Sequence, residues 1–528
     1  MRIFTILCVV VLLALAIGIG WLHATENFAS TVATAIGGVI AFAVVALWAV
    51  CRFGGSVKSK IVTLIAGVLA VGGSTQLFRY NGSFDGSSLP QFTWRWAPEK
   101  GEGLDDLSNL KQSGGSASAG LEDWTPPGIY QDSPGYLGAD RTGTFTGFTL
   151  ETDWEKYPPQ ELWRIKMGLG WSGFAVKGRY AVTQEQRDVL EMVTCYNFET
   201  GEPMWAHRNN ARFSEGMGGD GPRATPQIDG DRVYALGATG ILDCLELATG
   251  KLLWSRQVLE ENETGNPMYG KSGSPLIIED QVIVTGGESG PLLVAYDRMT
   301  GEPAWKNGTD AAGFSSPVLT TLGGVEQIVS VNARSVTGHH PVSGDELWRW
   351  PWPGTFPRPG QPQIIGGDRV LVTASYGLGS HLLKISAPTA DGKSNVEEIW
   401  ESSRMKTKFS SVCILGDYAY GLDEGQFACI NLENGDREWK DGRYGFGQNL
   451  LIGDVLLVQA ERGQVVLLRA TPERHQELAT LDALASDTKS WNTPTLAGSY
   501  LIVRNDVEAA CYRLPVKIAD ETPIRIQP

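Results

Sequence analysis

The sequence predicts an all-β chain folded as an eight-bladed β-propeller, with three membrane-spanning helices ahead of it. Three observations predict this. One phrase of about a dozen residues recurs along the chain. Its copies are spaced by a period in the forties. The first 80 residues hold three long stretches without a charge, unlike anything that follows.

The phrase is LDCLELATGKLLW, residues 242–254. Its other copies are VTCYNFETGEPMW ending at Trp205, LVAYDRMTGEPAW at Trp305, VTGHHPVSGDELW at Trp348 and FACINLENGDREW at Trp439. Each is a strand-like run, a turn centred on Thr, Ser or Asn followed by Gly, and a Trp four residues after the glycine. A glycine with positive φ suits a tight hairpin. Alternation on both sides suits half-buried strands. The phrase therefore reads as a β-hairpin with a two-residue turn, whose second strand carries a Trp.

The spacings from Trp205 to Trp254, Trp305 and Trp348 are 49, 51 and 43 residues. The next, from Trp348 to Trp439, is 91, about twice the unit, and EEIW ending at Trp400 stands between as a diverged copy. Units begin near Trp171, Pro222, Gly273, Gly313, Gln361, Phe409, Gly447 and Asn492. The seventh lacks its Trp, and the eighth ends at ACYRLP with no outer strand. ELWRI, 161–165, is an outer Trp strand with no blade before it. It is expected to complete the eighth blade and close the ring, which removes free sheet edges. Seven blades is the runner-up. At this spacing the tryptophans read as packing between blades.

These repeats resemble the quinoprotein-dehydrogenase-like, or PQQ-repeat, propeller family, whose blades carry an Ala-x-Asp, Thr-Gly, Trp hairpin. The best match is Ala295, Asp297, Thr300, Gly301 and Trp305, and the resemblance covers roughly residues 160–514. It implies a propeller. In the family's dehydrogenases it also implies PQQ and calcium on the axis, an adjacent-cysteine disulfide, a Trp under the quinone and an Asp base. This chain has no Cys-Cys pair, and no metal-and-base set falls on matching positions. A non-enzymatic branch, similar to the lipoprotein scaffold of outer-membrane barrel assembly, lacks these features too.

The ends differ in kind. Segments 3–22, 31–51 and 61–78 are each long enough to span a bilayer. A cleaved signal peptide is the alternative for the first. Arg2 precedes the first span, and Arg52, Lys58 and Lys60 lie between the second and third. The positive-inside rule then puts the N-terminus in the cytoplasm and everything after Phe78 outside, in the periplasm or beyond. If the third segment does not span, the propeller is cytoplasmic. Residues 81–158 read as a flexible acidic tether rich in Gly, Ser and Pro, with GGSASAG at 114–120. FTWRW at 92–96 is an aromatic knot, either an interface anchor or a docking point. GYLGADRTG at 135–143 resembles the segment that often precedes the first blade in membrane or exported members of the family. The propeller is expected over 159–514 and a tail over 515–528.

Net charge is −15, with +4 in residues 1–80 and −19 in the remainder. So acidic a domain excludes nucleic acid as a partner. Cys195, Cys244 and Cys429 occupy one repeat position, where other blades have Ala295 or Gly338, so they serve as small apolar residues. No CxxC or His-Cys cluster is present, and no metal site is expected.

Each blade begins with a turn of small and polar residues: GWSG, RATP, SGSP, FSSP, GQPQ, KFSS, GFGQN and SWNTP. Basic residues stand beside most of them: Lys166, Arg223, Lys271, Arg358, Lys408, Arg443 and Lys489. Converging on one axis, they would form a positive funnel, with Trp171, Tyr444 and Trp491 as stacking surfaces. The funnel suits an anionic small molecule, an acidic peptide or a carboxylated glycan. His339 and His340 are strand neighbours and point to opposite faces, one buried and one exposed. No Ser-His-Asp set, P-loop or HExxH is legible. The sequence therefore reads as an integral inner-membrane protein whose propeller is a binding or scaffold module for a protein or anionic partner. A PQQ-dependent oxidoreductase is the alternative, and a non-quinone enzyme such as a lyase or glycosidase stays open.

Overall fold

The computed structural model describes residues 56, 76–83, 85–86, 90–104, 107, 110, 126–354 and 357–517. The expected spans 3–22 and 31–51, most of 61–78, the 114–120 tract and the tail beyond 517 lie outside the described residues. Among the described residues no helix is long and apolar enough to cross a membrane.

Eight antiparallel sheets of four principal strands follow one another, 175–209, 227–257, 276–307, 318–351, 363–402, 413–443, 448–482 and 495–513. We number these blades 1 to 8. The first strand of blade 1 lies against the first strands of blades 2 and 8, and the same contact recurs between blades 2 and 3, 3 and 4, and 6 and 7. First strands are therefore innermost. Blade 8 has three strands of its own, and Gln160–Lys166 supplies the fourth, pairing antiparallel with Glu508–Arg513 so that Trp163 faces Cys511. The ring closes as the orphan ELWRI strand predicted.

The recurring hairpin shows why its residues recur. Its turn is a four-residue loop, not the expected two-residue one. In blade 1, Phe198–Gly201 is closed by Gly201 N–H to the Asn197 carbonyl at 2.8 Å and Asn197 N–H to the Glu202 carbonyl at 2.7 Å. Asn197 Oδ1 accepts from the Glu199 and Thr200 amides, and Asp297 does the same for Met299 and Thr300 in blade 3. Past the turn, every blade carries a β-bulge at the residue before the Trp position. The bulge twists the outer strand, and the Trp packs against the next blade.

At five joints the ring lies on the turn glycine of that blade. A Cβ on Gly250 would stand 2.4 Å from Trp205, and one on Gly301 would stand 2.8 Å from Trp254. The indole N–H reaches on to a neighbouring carbonyl: Trp163 to Phe198 at 2.9 Å, Trp205 to Leu247 at 2.8 Å, Trp254 to Arg298 at 3.1 Å and Trp400 to Leu432 at 3.0 Å. One glycine thus serves twice. It takes the left-handed turn conformation, and it leaves room for the neighbour's indole.

Eight apolar clusters among the described residues fill the eight gaps between neighbouring blades. The residue opposite each Trp is small or apolar and buried: Cys195, Cys244, Ala295, Gly338, Leu382, Cys429 and Cys511. All five described cysteines are free and buried. Between blades 7 and 8 there is no Trp to close the gap. Leu137, Phe145, Leu150 and Trp154, from the chain ahead of the propeller, join the cluster there.

That contribution corrects the expectation of a flexible tether over 81–158 for the described part from residue 126 onward. Ser133 bridges to Val176 of blade 1, Thr144–Phe145 pairs parallel with the innermost strand of blade 7, and Leu150 bridges to Val516. A separate compact unit comprises the described residues up to Glu99 with the loop Glu215–Gly219. It holds a hairpin of Phe78–Ser83 and Pro90–Trp94, in which the Tyr80 hydroxyl donates to the Gly216 carbonyl at 2.9 Å.

The lock predicts a ranking. Gly250 (φ +69°) faces the Trp205 ring, whereas Gly230 (φ +59°) has nothing within 4 Å of its missing Cβ. Gly230→Ala should cost only the left-handed backbone penalty of about 1–2 kcal/mol. Gly250→Ala adds overpacking, for about 2–5 kcal/mol in all. Chemical denaturation of both variants checks this.

Candidate functional site

The polar turns that open the blades form a belt around the axis, each holding a backbone group of a neighbour. Gly173 N–H donates to Thr225 Oγ1 at 3.2 Å, Thr225 N–H to Ser274 Oγ at 3.0 Å, and Ser274 N–H to Ser316 Oγ at 2.9 Å. Ser316 N–H then donates to Gln361 Oε1 at 3.3 Å, and Gln361 N–H to Ser411 Oγ at 3.0 Å. Gln448 Nε2 spans the carbonyls of Phe409 and Trp491, at 3.0 and 2.9 Å. Asn492 Nδ2 returns to Gly170 and Ser172 of blade 1, at 3.1 and 2.9 Å. Small hydroxyls and amides are required because backbone N–H groups on the axis have no strand partner. The turns expected to bind a ligand are, in the first place, the seam of the ring.

On one side of the belt the axis is plugged. The segment 133–145, which contains GYLGADRTG, crosses it. Buried Arg141 donates to the carbonyls of Ser274 (3.3 Å) and Pro317 (3.1 Å), to Gln227 Oε1 (3.2 Å) and to the Pro275 carbonyl. Burial pulls its pKa down to about 10. Tyr136 bonds Ser411 and Thr493 from the opposite side of the ring, and burial pushes its pKa up. The plug thus ties blades 2, 3 and 4 to blades 6 and 8.

On the other side the blades present aromatic rings to one another. Trp491 of blade 8 lies 4.9 Å from Trp171 of blade 1 and 4.6 Å from Phe409 of blade 6, and Phe409 lies 6.2 Å from Phe446 of blade 7. Only a mouth on the axis brings four blades together. Two of the expected cations stand here. Lys489 Nζ sits 4.2 Å from the centre of the Trp491 ring and 5.6 Å from Trp171. Lys408 Nζ lies 4.8 Å from Phe446, 4.9 Å from Tyr376 and 5.6 Å from Phe409. The two side chains are only 5% and 7% exposed. Low dielectric and ring faces strengthen such cation–π contacts. Carboxylates are also present. Glu461 accepts from Trp491 Nε1 at 2.7 Å, and Glu424 bonds Ser375 and has its pKa raised by burial, against the pull of Lys406 and Lys408.

The other expected residues do not gather. Lys271 is fully buried, with Nζ on the Thr285 carbonyl and hydroxyl at 2.7 Å each and on the Gly286 carbonyl. Arg358 is equally buried and donates to the carbonyls of Ala333, Trp352 (2.9 Å) and Pro353 (3.0 Å). Lys271 spends its donors within blade 3, and Arg358 spends its on backbone at the joint of blades 4 and 5. Arg223 lies over the Phe213 ring at 4.4 Å and bonds the Gly221 carbonyl. Asp220 pairs with Arg212 at 2.9 Å. Lys166 is exposed on the outer strand of blade 8, and Arg443 is exposed at the end of the outer strand of blade 6. Tyr444 turns outward to His475 Nε2 at 2.7 Å and Glu477 Oε1 at 2.5 Å. Of the ten, the structure brings Lys408, Lys489, Trp171 and Trp491 together.

Phe409, Phe446, Tyr376 and Glu461 complete the cluster and were not singled out by sequence. The signal was faint: Phe409 and Phe446 lie in the quoted turns, one place from a belt or cation residue. His339 is buried, with its ring nitrogens 2.9 Å from the Gly344 carbonyl and Thr337 Oγ1. His340 is exposed, and its Nδ1 accepts from the Val342 and Ser343 amides, the part Asp297 plays in blade 3. Both histidines are structural.

With the repeats, the velcro closure and the belt in place, the fold has clear relatives. The family model described as outer membrane protein assembly factor BamB matches residues 159–287 and 273–474. The chain belongs to this family. An outer membrane protein assembly factor BamB of Burkholderia pseudomallei is 27% identical over 115 residues, 21% of this chain and 26% of that protein. The aligned part therefore spans about a quarter of that relative. A quinohemoprotein alcohol dehydrogenase from Comamonas testosteroni superposes with a TM-score of 0.55 at 12% identity, over 74% of this chain and 81% of that one. A europium-containing methanol dehydrogenase gives 0.52 at 11%, over 75% and 99%. At such identities the likeness is one of fold.

PQQ, which the repeat family implies, is a flat tricarboxylate. Held in a sandwich, it needs two walls separated by two stacking distances. Here the walls touch, with Trp491 against both Trp171 and Phe409. The residues at this mouth do not fit a sandwiched quinone.

Burial holds the pKa of Lys271 down at about 7, and no carboxylate is among its hydrogen-bond partners. An unfolded lysine ionises near about 10.4. Between these values the unfolded chain binds a proton that the folded chain does not, so this group makes stability rise with pH across the window. Lys271→Met should remove that slope. Denaturation midpoints of parent and variant from pH 7 to 10 check it, and the parent should gain on the variant.

Proposed function

We propose that this chain is a membrane-tethered propeller, displayed outside the cytoplasmic membrane, that works as a binding or scaffold module for a protein partner. An acidic and aromatic segment of that partner seats at the mouth built by Trp171, Phe409, Phe446 and Trp491. One observation carries the reading: Lys408 and Lys489 lie over aromatic rings at the end of the axis opposite the plug. Such a mouth offers N–H donors to a carboxylate and flat faces to an apolar neighbour. Protein anchors combine these two chemistries.

Tethering rests on other features. The three uncharged segments within the first 80 residues are followed at once by a hairpin that exposes Phe78, Tyr80, Phe92, Trp94 and Trp96. Aromatic rings beside an apolar span suit the membrane interface. With all three segments spanning, the loop charges favour a propeller on the outside. The matched family and the Burkholderia relative are described as outer membrane protein assembly factors. That description suits a propeller whose ligand is another protein.

The test is a titration of the full chain, in detergent micelles, with a short peptide alternating Glu and Phe, followed by tryptophan emission. Saturable binding is expected. The double variant Lys408→Gln/Lys489→Gln should bind about ten-fold or more weakly, because each charge-assisted hydrogen bond carries about 1.5–3 kcal/mol. Lys166→Gln, on an outer strand, should not change it. No saturable binding, equal binding by the double variant, or saturable binding of PQQ with calcium at this mouth contradicts the reading.

A further inference from the structure

The joint between blades 4 and 5 lacks the common lock. Blade 5 has no Thr-Gly turn for Trp348 of blade 4 to cover. Its third and fourth strands are joined instead by a long loop, SAPTADGKSN, and Trp348 Nε1 turns back to Gln327 of its own blade. Beside the apolar cluster of that joint, His381 of blade 5 packs against Trp350 at 4.9 Å and Trp352 at 5.3 Å between ring centres.

That histidine is 5% exposed. Its Nε2 lies 3.1 Å from the Leu378 carbonyl. A carbonyl only accepts, so Nε2 carries a proton and Nδ1 is the ring atom left for another partner. Nδ1 is buried and makes no hydrogen bond. It points at Glu398, whose Oε1 is 3.6 Å away. Glu401 stands directly across the strand pair from His381. The ligand atoms of His381, Glu398 and Glu401 all lie within 4.8 Å of one another. Among the described residues no lysine or arginine pairs with either glutamate.

Two carboxylates three apart on a regular strand point to opposite faces. Here the bulge at Ile399 shifts the register between Leu382 and Leu383, which returns Glu398 to the face of Glu401 and His381. The bulge belongs to every blade, but only blade 5 places His and two Glu around it. A buried nitrogen aimed at a pair of carboxylates calls for a positive charge between them, a proton or a metal ion.

We propose that His381, Glu398 and Glu401 form a divalent-metal site on the outer edge of blade 5, next to the joint with blade 4. One imidazole and two carboxylates suit zinc or a similar first-row ion. Bonds of about 2.0–2.1 Å set tetrahedral ligands about 3.3 Å apart, so small rotations of the exposed glutamates close the site. A fourth position faces solvent. The hydrogen bond from Nε2–H to Leu378 is the outer-shell contact that fixes the tautomer of a metal-bound histidine. The metal would pin blade 5 beside the Trp350 and Trp352 rings, where the Trp-on-Gly lock is absent. The sequence reading expected no metal, because residues 381, 398 and 401 show no ligand spacing until the strands are paired.

The test uses the full chain in detergent micelles, purified without a histidine tag and stripped of metal. Calorimetric titration with ZnCl2 should show one saturable site. Cu2+ should compete for it and quench part of the tryptophan emission, since two indoles adjoin the imidazole. Glu398→Gln and Glu401→Gln should each weaken Zn2+ binding about ten-fold or more and reduce the Cu2+ quench. Both residues are exposed, so their metal-free melting temperatures should match the parent. Zn2+ affinity unchanged in both variants, or no saturable binding by the parent, overturns the proposal.

Discussion

Most joints of this ring depend on one contact, an indole laid on the turn glycine of the next blade. A propeller blade is a small twisted sheet with too little core to stand alone, so its stability comes from its neighbours. The Trp supplies the largest apolar face available, and its N–H ties a carbonyl across the joint. The glycine makes the contact feasible by having no Cβ where the indole must lie. Trp163 on Gly201 carries the same contact across the join between the two ends of the ring. Closure is therefore not a separate device but one more copy of the repeat.

Where the lock fails, the chain substitutes other chemistry. Between blades 7 and 8 it brings in Leu137, Phe145, Leu150 and Trp154 from ahead of the propeller. Between blades 4 and 5 it packs His381 against Trp350 and Trp352. The axis is treated in the same way. Belt hydroxyls satisfy backbone amides, and the plug spends Arg141 on carbonyls. At the aromatic mouth two lysines lie over rings, and the proposed function is placed there for that reason. Acids as well as lysines line it, so it is a mixed polar cup rather than a uniformly positive funnel.

Much of the fold was legible in the sequence because the repeat writes it locally. The Trp spacing, the Gly after Thr, Ser or Asn, and the orphan ELWRI strand are short-range signals, and each reads directly as a blade, a turn or a closure. The four-residue turn was misread because its closing bond, from Gly201 N–H to Asn197, looks the same in sequence as a tighter hairpin. The plug was missed because a Gly-rich, polar segment resembles a linker until Arg141 finds its carbonyls. The site was less legible still. A basic residue beside a turn carries no sign of direction, so Lys271 and Arg358 looked the same as Lys408 and Lys489. Only packing separates a lysine held by carbonyls from one held over indoles.

The claim that the mouth is the working surface is tested most directly in the intact cell. A photo-reactive phenylalanine analogue placed at Phe446 and another at the exposed Leu252 of an outer strand would be irradiated in place. The account predicts a discrete protein adduct from Phe446, absent from Leu252 and lost on Lys408→Glu/Lys489→Glu. Adducts from Leu252 alone, or a Phe446 adduct untouched by the charge reversal, would contradict it.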